Sequence, residues 1–135
     1  GHVVPAMIRK LHDAKLNGQK VKHWGTGTPK REFTYSKDIA RALLLLVEHY
    51  EGVEPINIGS PFEISIFNLA GLISEIIGYD GDELWDASMP EGQHEKPSSN
   101  KRFMNIFPNF EYTPFATGLK ETIDWYVKNY PNVRL

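Results

Sequence analysis

The chain has 135 residues, 41% hydrophobic and 24% charged, a composition typical of a globular protein that can bury a core. It contains no cysteine, which excludes a disulfide framework, a thiolate metal site and a cysteine nucleophile within this sequence and fits a reducing compartment. The formal net charge is −2, whereas proteins that coat nucleic acid are usually strongly basic, so we expect no nucleic-acid partner.

The first quarter of the chain predicts a helix followed by two short strands. Val4–Pro5 opens the helix, because proline suits a first helical turn, and Asn17-Gly18 ends it. Residues 21–24 predict a strand, residues 25–29 a turn and residues 32–35 a second strand. Since the two strands are separated only by a turn, we expect them to form a hairpin.

The next segment predicts a strongly apolar helix and a buried strand. Ser36 or Asp38 can cap a helix over residues 39–50. Its apolar residues lie around most of the helix, which predicts a central, covered position. Residues 55–59 have the pattern of a buried strand and end in a Gly-Ser-Pro turn.

The remainder predicts two further helices and short extended pieces. A short extended piece over residues 63–66 leads into a helix over residues 67–77, which Gly78 ends. A short strand over residues 83–85 precedes a polar loop, and Pro114 opens a last helix that reaches Tyr130. Helices mixed with short strands predict an α/β or α+β fold, and the length predicts one domain over residues 1–135.

Charge is unevenly distributed along the chain. Residues 1–37 contain eight basic and two acidic residues, whereas residues 38–135 contain seven basic and fifteen acidic ones. A solvated helix and loop would account for the basic segment. A segment facing a phosphate or diphosphate would do so equally well, and charge alone does not decide between them.

The residues from Trp24 to Asp38 are the most informative stretch. Arginine can bind a phosphate through two parallel hydrogen bonds, and the face of a tryptophan can pack on a base or sugar. The hairpin would present Trp24 and Arg31 together for such a ligand. Alternatively, Trp24 anchors the core and Arg31 pairs with Glu32 or Asp38.

Two other kinds of site are not supported by the residue patterns. The Gly25-Thr-Gly27 turn lacks the third glycine of a dinucleotide-binding turn and leads into a strand, so it predicts a hairpin turn. The five histidines have no metal-ligand spacing, and we expect no metal. We expect His23 to be exposed and His12 to lie on the surface or at a helix flank.

Four separated motifs together resemble one enzyme family. The first, in residues 1–10, begins Gly-His-Val-Val-Pro, and the second, in residues 24–38, has Arg-Glu-Phe before a helix that carries Asp38. The third, in residues 86–93, contains Asp-Ala-Ser-Met-Pro-Glu-Gly, and the fourth, residues 112–115, is Tyr-Thr-Pro-Phe. In this order and spacing they are similar to the GDP-L-fucose synthase family of extended short-chain dehydrogenases/reductases. The resemblance implies a C-terminal substrate-binding domain without the Rossmann domain. In the whole enzyme, the Rossmann domain would make most of the contacts to NADPH.

The same resemblance implies roles for six residues. His2 matches the histidine that serves as the acid in epimerisation, opposite a cysteine in the missing domain. Lys10, Trp24, Arg31 and Glu91 match substrate-binding positions, although the family often has arginine in place of Lys10 and aspartate in place of Glu91. Lys96 is a further candidate for phosphate contact.

The family assignment implies further expectations about activity and assembly. The whole enzyme would convert GDP-4-keto-6-deoxy-D-mannose to GDP-L-fucose as a homodimer, whereas the isolated chain would be monomeric and inactive. The absence of a long apolar run and of a basic-then-apolar leader predicts no membrane association and a cytoplasmic location. The alternatives are a domain of another nucleotide-sugar epimerase or dehydratase and a non-catalytic interaction module.

Overall fold

The computed structural model describes residues 2–90 and 92–133. Within them lie five helices and four short strands, in agreement with the predicted mixed α/β class. In chain order the elements are α1 (Val3–Asn17), β1 (Val21–Trp24), β2 (Lys30–Glu32), α2 (Ser36–His49), β3 (Glu63–Ser65), α3 (Ile66–Ile77), β4 (Glu83–Asp86), α4 (Lys101–Ile106) and α5 (Phe115–Asn129).

The strands form two separate two-stranded sheets. β1 pairs in parallel with β4, and β2 pairs antiparallel with β3. The predicted hairpin is therefore wrong, and the second strand occupies residues 30–32 instead of residues 32–35. The cause is the turn between the strands, because the Gly27 and Pro29 carbonyls accept hydrogen bonds from the backbone amides of Phe67 (2.8 Å) and Ile66 (3.0 Å). These bonds direct β2 towards β3.

The main core lies between α1, α3 and α5, with β1 packed against it. Three of its members are Leu11, Ile73 and Ile123, one from each helix, and all are at most 1% exposed. The predicted helices around them are confirmed. Gly18 and Gly78 end α1 and α3 with φ angles of 61° and 70°, the left-handed conformation that glycine adopts at little cost.

A second, smaller apolar cluster joins α2 to α4. Ala42 of α2 packs there with Phe103 and Phe110. The predicted side-chain caps of α2 are wrong, because Tyr35 occupies the N-cap position and makes no side-chain capping bond. The predicted central position is also wrong, since Val47 is 84% exposed. The apolar composition of a helix does not by itself specify what covers it.

Residues 55–59 do not form the predicted strand, and no described strand pairs with them. Side chains bind their carbonyl groups instead. The Tyr112 hydroxyl lies 3.1 Å from the carbonyl oxygens of both Ile58 and Gly59, and the Asn100 amide donates to Gly59 at 3.1 Å. Among the described helices, none is long and apolar enough to cross a membrane.

Candidate substrate site

A cleft of about 710 Å³ opens between the beginning of α1, the junction of β2 with α2, and the beginning of α5. Small-molecule sites usually have volumes of about 300–1,000 Å³. Apolar side chains form much of the wall, including Phe62 and Phe115, whose stacked rings have centroids 5.1 Å apart. His2 and Arg31 also line the cleft. The fold thus brings together two of the predicted site residues.

His2 reaches the cleft because it immediately precedes α1. Its extended backbone (φ −69°, ψ 145°) is that of an N-cap residue, and its carbonyl oxygen accepts a hydrogen bond of 3.1 Å from Ala6. Its imidazole makes no capping hydrogen bond and is exposed. The side chain is therefore not required for the helix start and is accessible to a ligand.

Arg31 lies on β2 and directs its guanidinium group at two carbonyl oxygens. Nη1 donates to Lys30 at 2.5 Å, and Nη2 donates to Gln93 at 2.7 Å. Neither of these hydrogen bonds is the alternative pairing with Glu32 or Asp38. Carbonyl groups leave the positive charge of the guanidinium unneutralised, which favours an anionic ligand.

The polar loop after β4 runs alongside β2 on the side away from β3. The Lys30 amide donates to the His94 carbonyl at 2.8 Å. The Glu32 carboxylate accepts from the Ser98 amide at 2.9 Å and from its hydroxyl at 2.5 Å. These hydrogen bonds hold the loop beside Arg31, although the two are far apart in sequence.

Trp24 and Lys10 lie away from the cleft lining, at the end of β1 and on α1. Trp24 is 63% exposed, so the alternative in which it anchors the core is wrong. The Lys10 ammonium donates to the Lys22 carbonyl at 2.9 Å, two residues before Trp24 on the strand. Trp24 is in register with Asp86, where the polar loop begins. This loop therefore extends from the neighbourhood of Trp24 to that of Arg31.

The two remaining predicted residues belong to that loop. Lys96 is exposed and does not line the cleft. Glu91 lies outside the described residues. At the start of the loop, hydrogen bonds from Lys22 and Ser88 lower the pKa of Asp86 to about 2, so this carboxylate is negatively charged beside Trp24.

His23 is buried, contrary to the prediction that it is exposed. It is 4% exposed, its Nε2 lies 2.6 Å from Glu83 Oε2, and its ring stacks on Trp85 with centroids 4.6 Å apart. Burial lowers the pKa of His23 more than Glu83 raises it. Strand alternation was the available signal, because His23 is two residues from buried Val21.

His12 is also buried, and its predicted surface position is wrong. It is 7% exposed, and its ring meets that of Tyr126 edge-on with centroids 5.6 Å apart. It lies four residues after Ile8 on α1, where the helical repeat places both on the inward face. No group of three or more His, Asp or Glu side chains that could hold a metal occurs in the described part of the chain.

Comparison with known proteins shows which proteins this chain is similar to. Residues 1–59 match the NAD dependent epimerase/dehydratase family model. The chain is 44% identical over 131 residues to probable GDP-L-fucose synthase 1 of Oryza sativa subsp. japonica, covering 95% of this chain and 39% of that protein. It is 40% identical over 135 residues to GDP-L-fucose synthase 1 of Arabidopsis thaliana, covering 97% and 41%.

Solved structures also include a similar GDP-L-fucose synthetase. The chain matches a GDP-L-fucose synthetase from Naegleria fowleri bound to NADP with a TM-score of 0.96 and 38% identity, covering all of this chain and 43% of that one. A dTDP-glucose 4,6-dehydratase from Bacillus anthracis, at 22% identity and a TM-score of 0.79, shares the fold.

The chain spans about two-fifths of the length of these relatives. The predicted resemblance is confirmed, because the similarity extends over nearly all of this chain and not over one motif. The chain is thus homologous, over almost its whole length, to a part of the GDP-L-fucose synthases and has the fold of the corresponding part of the Naegleria fowleri protein.

Proposed function

We propose that this chain is the GDP-sugar-binding part of an enzyme that converts GDP-4-keto-6-deoxy-D-mannose to GDP-L-fucose by 3,5-epimerisation and NADPH-dependent 4-reduction. The carrying observation is the cleft that His2 and Arg31 line together. It supports the proposal because epimerisation needs a proton donor near the sugar and a nucleotide sugar needs a cation near its diphosphate. The similarity to GDP-L-fucose synthases supports the choice of substrate.

His2 acts as the acid of the epimerisation. Removal of a proton from a carbon beside the ketone gives an enolate, and protonation of that carbon on the opposite face inverts it. The imidazolium of His2 donates this proton and becomes neutral imidazole. The base that removes the first proton belongs to another part of the full-length protein. Exposure of the imidazole at the cleft is consistent with this role.

Arg31 binds an oxygen of the diphosphate by exchanging its carbonyl partners for the anion. Trp24 and Lys10 extend the site along β1, and Trp24 packs on the nucleotide with its exposed ring. Lys96 approaches the phosphates from the polar loop, where Glu91 accepts hydrogen bonds from ribose or sugar hydroxyl groups. In this arrangement the substrate spans the surface between β1 and the cleft.

The one glycine turn that the sequence suggested for a dinucleotide does not fit the diphosphate of NADPH. The Gly25–Gly27 turn leads into β2 and not into a helix, whose N-terminus would bind a diphosphate. We infer that NADPH, which supplies the hydride for the 4-reduction, binds mainly to a part of the full-length protein outside this chain. We accordingly expect purified residues 1–135 to oxidise no NADPH with the keto-sugar, and detectable oxidation would contradict this.

Titration of the full-length protein with GDP and, in parallel, with UDP tests the substrate class. We expect NMR shifts of the Trp24 indole and of the Arg31 region with GDP only. Equal binding of UDP would favour another nucleotide-sugar epimerase or dehydratase, and binding of neither would favour a non-catalytic module. Substitution of His2→Asn should then reduce turnover by about 10²–10⁴-fold without loss of GDP binding.

A further inference from the structure

Residues Tyr35 and Lys37, at the junction of β2 with α2, bind one residue of α5. The Tyr35 hydroxyl donates to Glu121 Oε2 at 2.6 Å, and the Lys37 ammonium donates to the same oxygen at 2.8 Å. Tyr35 is also part of the cleft wall. One side of the cleft is thus attached to α5 through a side chain that faces the ligand space.

Asp38 fixes the beginning of α5 from the same junction. It is 2% exposed, its Oδ2 accepts from the Thr113 amide at 2.8 Å, and its Oδ1 accepts from the Thr113 hydroxyl at 2.8 Å. Thr113 lines the cleft two residues before α5 begins. Residues 35–38 therefore bind α5 at two points, through Thr113 just before the helix and through Glu121 two turns into it.

Gly118 lies between these two attachment points and contacts the Tyr35 ring. A Cβ atom at Gly118 would be 2.9 Å from Tyr35 Cγ and 3.2 Å from its Cβ, closer than carbon atoms pack. These atoms form the base of the side chain, so a rotation of the ring cannot relieve the contact. Thr113 and Glu121 hold α5 before and after Gly118. The lack of a side chain at Gly118 therefore allows the observed short distance between α5 and Tyr35.

We propose that Tyr35 and Gly118 set the width of the cleft, with Tyr35 as a positioning residue for the sugar of the bound nucleotide sugar. This inference rests on the proposed function. Tyr35, Gly118 and Thr113 line the cleft together with His2 and Arg31. A change in the distance between α5 and Tyr35 therefore moves one wall relative to the proposed acid and diphosphate ligand.

The test is the affinity of the full-length protein for GDP-mannose, a GDP-sugar without the reactive ketone, measured by calorimetry. Gly118→Ala should weaken binding by about 10-fold, because the added Cβ forces Tyr35 or α5 to move and so displaces one wall of a packed cleft. Gly71→Ala is the matched control, since Gly71 is also helical and nothing lies within 4 Å of its Cβ position. Its affinity should equal that of the wild type.

A double-mutant cycle separates this role from a general effect on folding. In a Tyr35→Ala background the ring is absent and only the 3.2 Å contact with the Cβ of residue 35 remains, so Gly118→Ala should cause a smaller loss of affinity than in the wild type. Tyr35→Phe retains the ring, and Lys37 still binds Glu121, so this variant should bind within about 2-fold of the wild type. Tyr35→Ala alone should weaken binding, and this comparison with Tyr35→Phe remains available if Gly118→Ala does not fold.

Three outcomes would overturn the inference. Wild-type affinity in folded Gly118→Ala, or an equal loss with and without the Tyr35 ring, would show that the spacing does not act through Tyr35. Equal affinities of Tyr35→Ala and Tyr35→Phe would show the same. Absence of GDP-mannose binding by the wild-type protein would overturn the proposed function itself, and the inference with it.

Discussion

Replacement of the buried carboxylate of Asp38 by an amide should destabilise the protein substantially. Asp38 accepts hydrogen bonds from Arg41 Nη2 (2.6 Å), from the Thr113 hydroxyl (2.8 Å) and from the Thr113 amide (2.8 Å). In Asp38→Asn one oxygen becomes an NH₂ group, which cannot accept from the donors that face it. A buried donor left without an acceptor costs about 1–3 kcal/mol.

We discount the ion pair itself, because Arg41 is 52% exposed and solvent screens its charge. The expected loss in the free energy of unfolding is therefore about 1–3 kcal/mol, set by the buried donor that is left without an acceptor. Domains of this size typically have a stability of about 5–15 kcal/mol, so the variant should still fold. Urea unfolding followed by tryptophan fluorescence measures the difference.

The matched control is Asp124→Asn, the same chemical change at an exposed position. Asp124 is 60% exposed and accepts a 2.6 Å hydrogen bond from Lys120 one helical turn earlier. Exposed pairs of this kind contribute about 0.3–0.5 kcal/mol. A loss in Asp38→Asn no larger than that in Asp124→Asn would refute the assignment of Asp38 as a stabilising buried acceptor.

The pH dependence provides a second test of the same interaction. Burial raises the pKa of Asp38, but the hydrogen bonds from Arg41 and Thr113 outweigh it and hold the pKa below the ordinary value of 3.8. A carboxylate with a lowered pKa in the folded state stabilises the protein above its unfolded pKa, and this contribution is lost as the pH falls through the folded pKa. The difference between wild type and Asp38→Asn should thus be full above pH 4 and shrink below it. A difference that grows on acidification would contradict the argument.

Three further predictions concern other parts of the site. Gly27→Ala should lower the free energy of unfolding by about 2–4 kcal/mol, because Gly27 has a φ of 76° and its Cβ position lies 2.6 Å from the Trp85 ring. Urea titration measures the change, and wild-type stability of the variant would contradict the prediction. Because burial lowers the pKa of His23, the free energy of unfolding of the wild type should fall as the pH drops below 6.5. In urea titrations at a series of pH values, His23→Gln should reduce this dependence of stability on pH. Parallel profiles of the two proteins would exclude His23 as the cause. Arg31→Lys should weaken GDP-mannose binding about 10-fold in calorimetry, since lysine lacks the two-pronged donor geometry, and unchanged affinity would remove Arg31 from the diphosphate site.

Local patterns predicted those parts of the protein that depend on neighbouring residues. α1, α3 and α5 have an apolar face at helical spacing and a stop or start signal in the adjacent sequence, so their residues alone specify the helices. The motif resemblance also depends on residue order alone. For this reason the similarity to GDP-L-fucose synthases could be predicted before any contact was known.

Partners distant in the chain were decided by the tertiary structure. β1 and β2 are neighbours in sequence, yet they pair with β4 and β3, because the turn between them binds to the start of α3. The exposure of Trp24 and the absence of a described strand over residues 55–59 follow from the same long-range contacts. A hydrophobic period specifies which residues prefer to be covered, whereas only packing between distant segments determines what covers them.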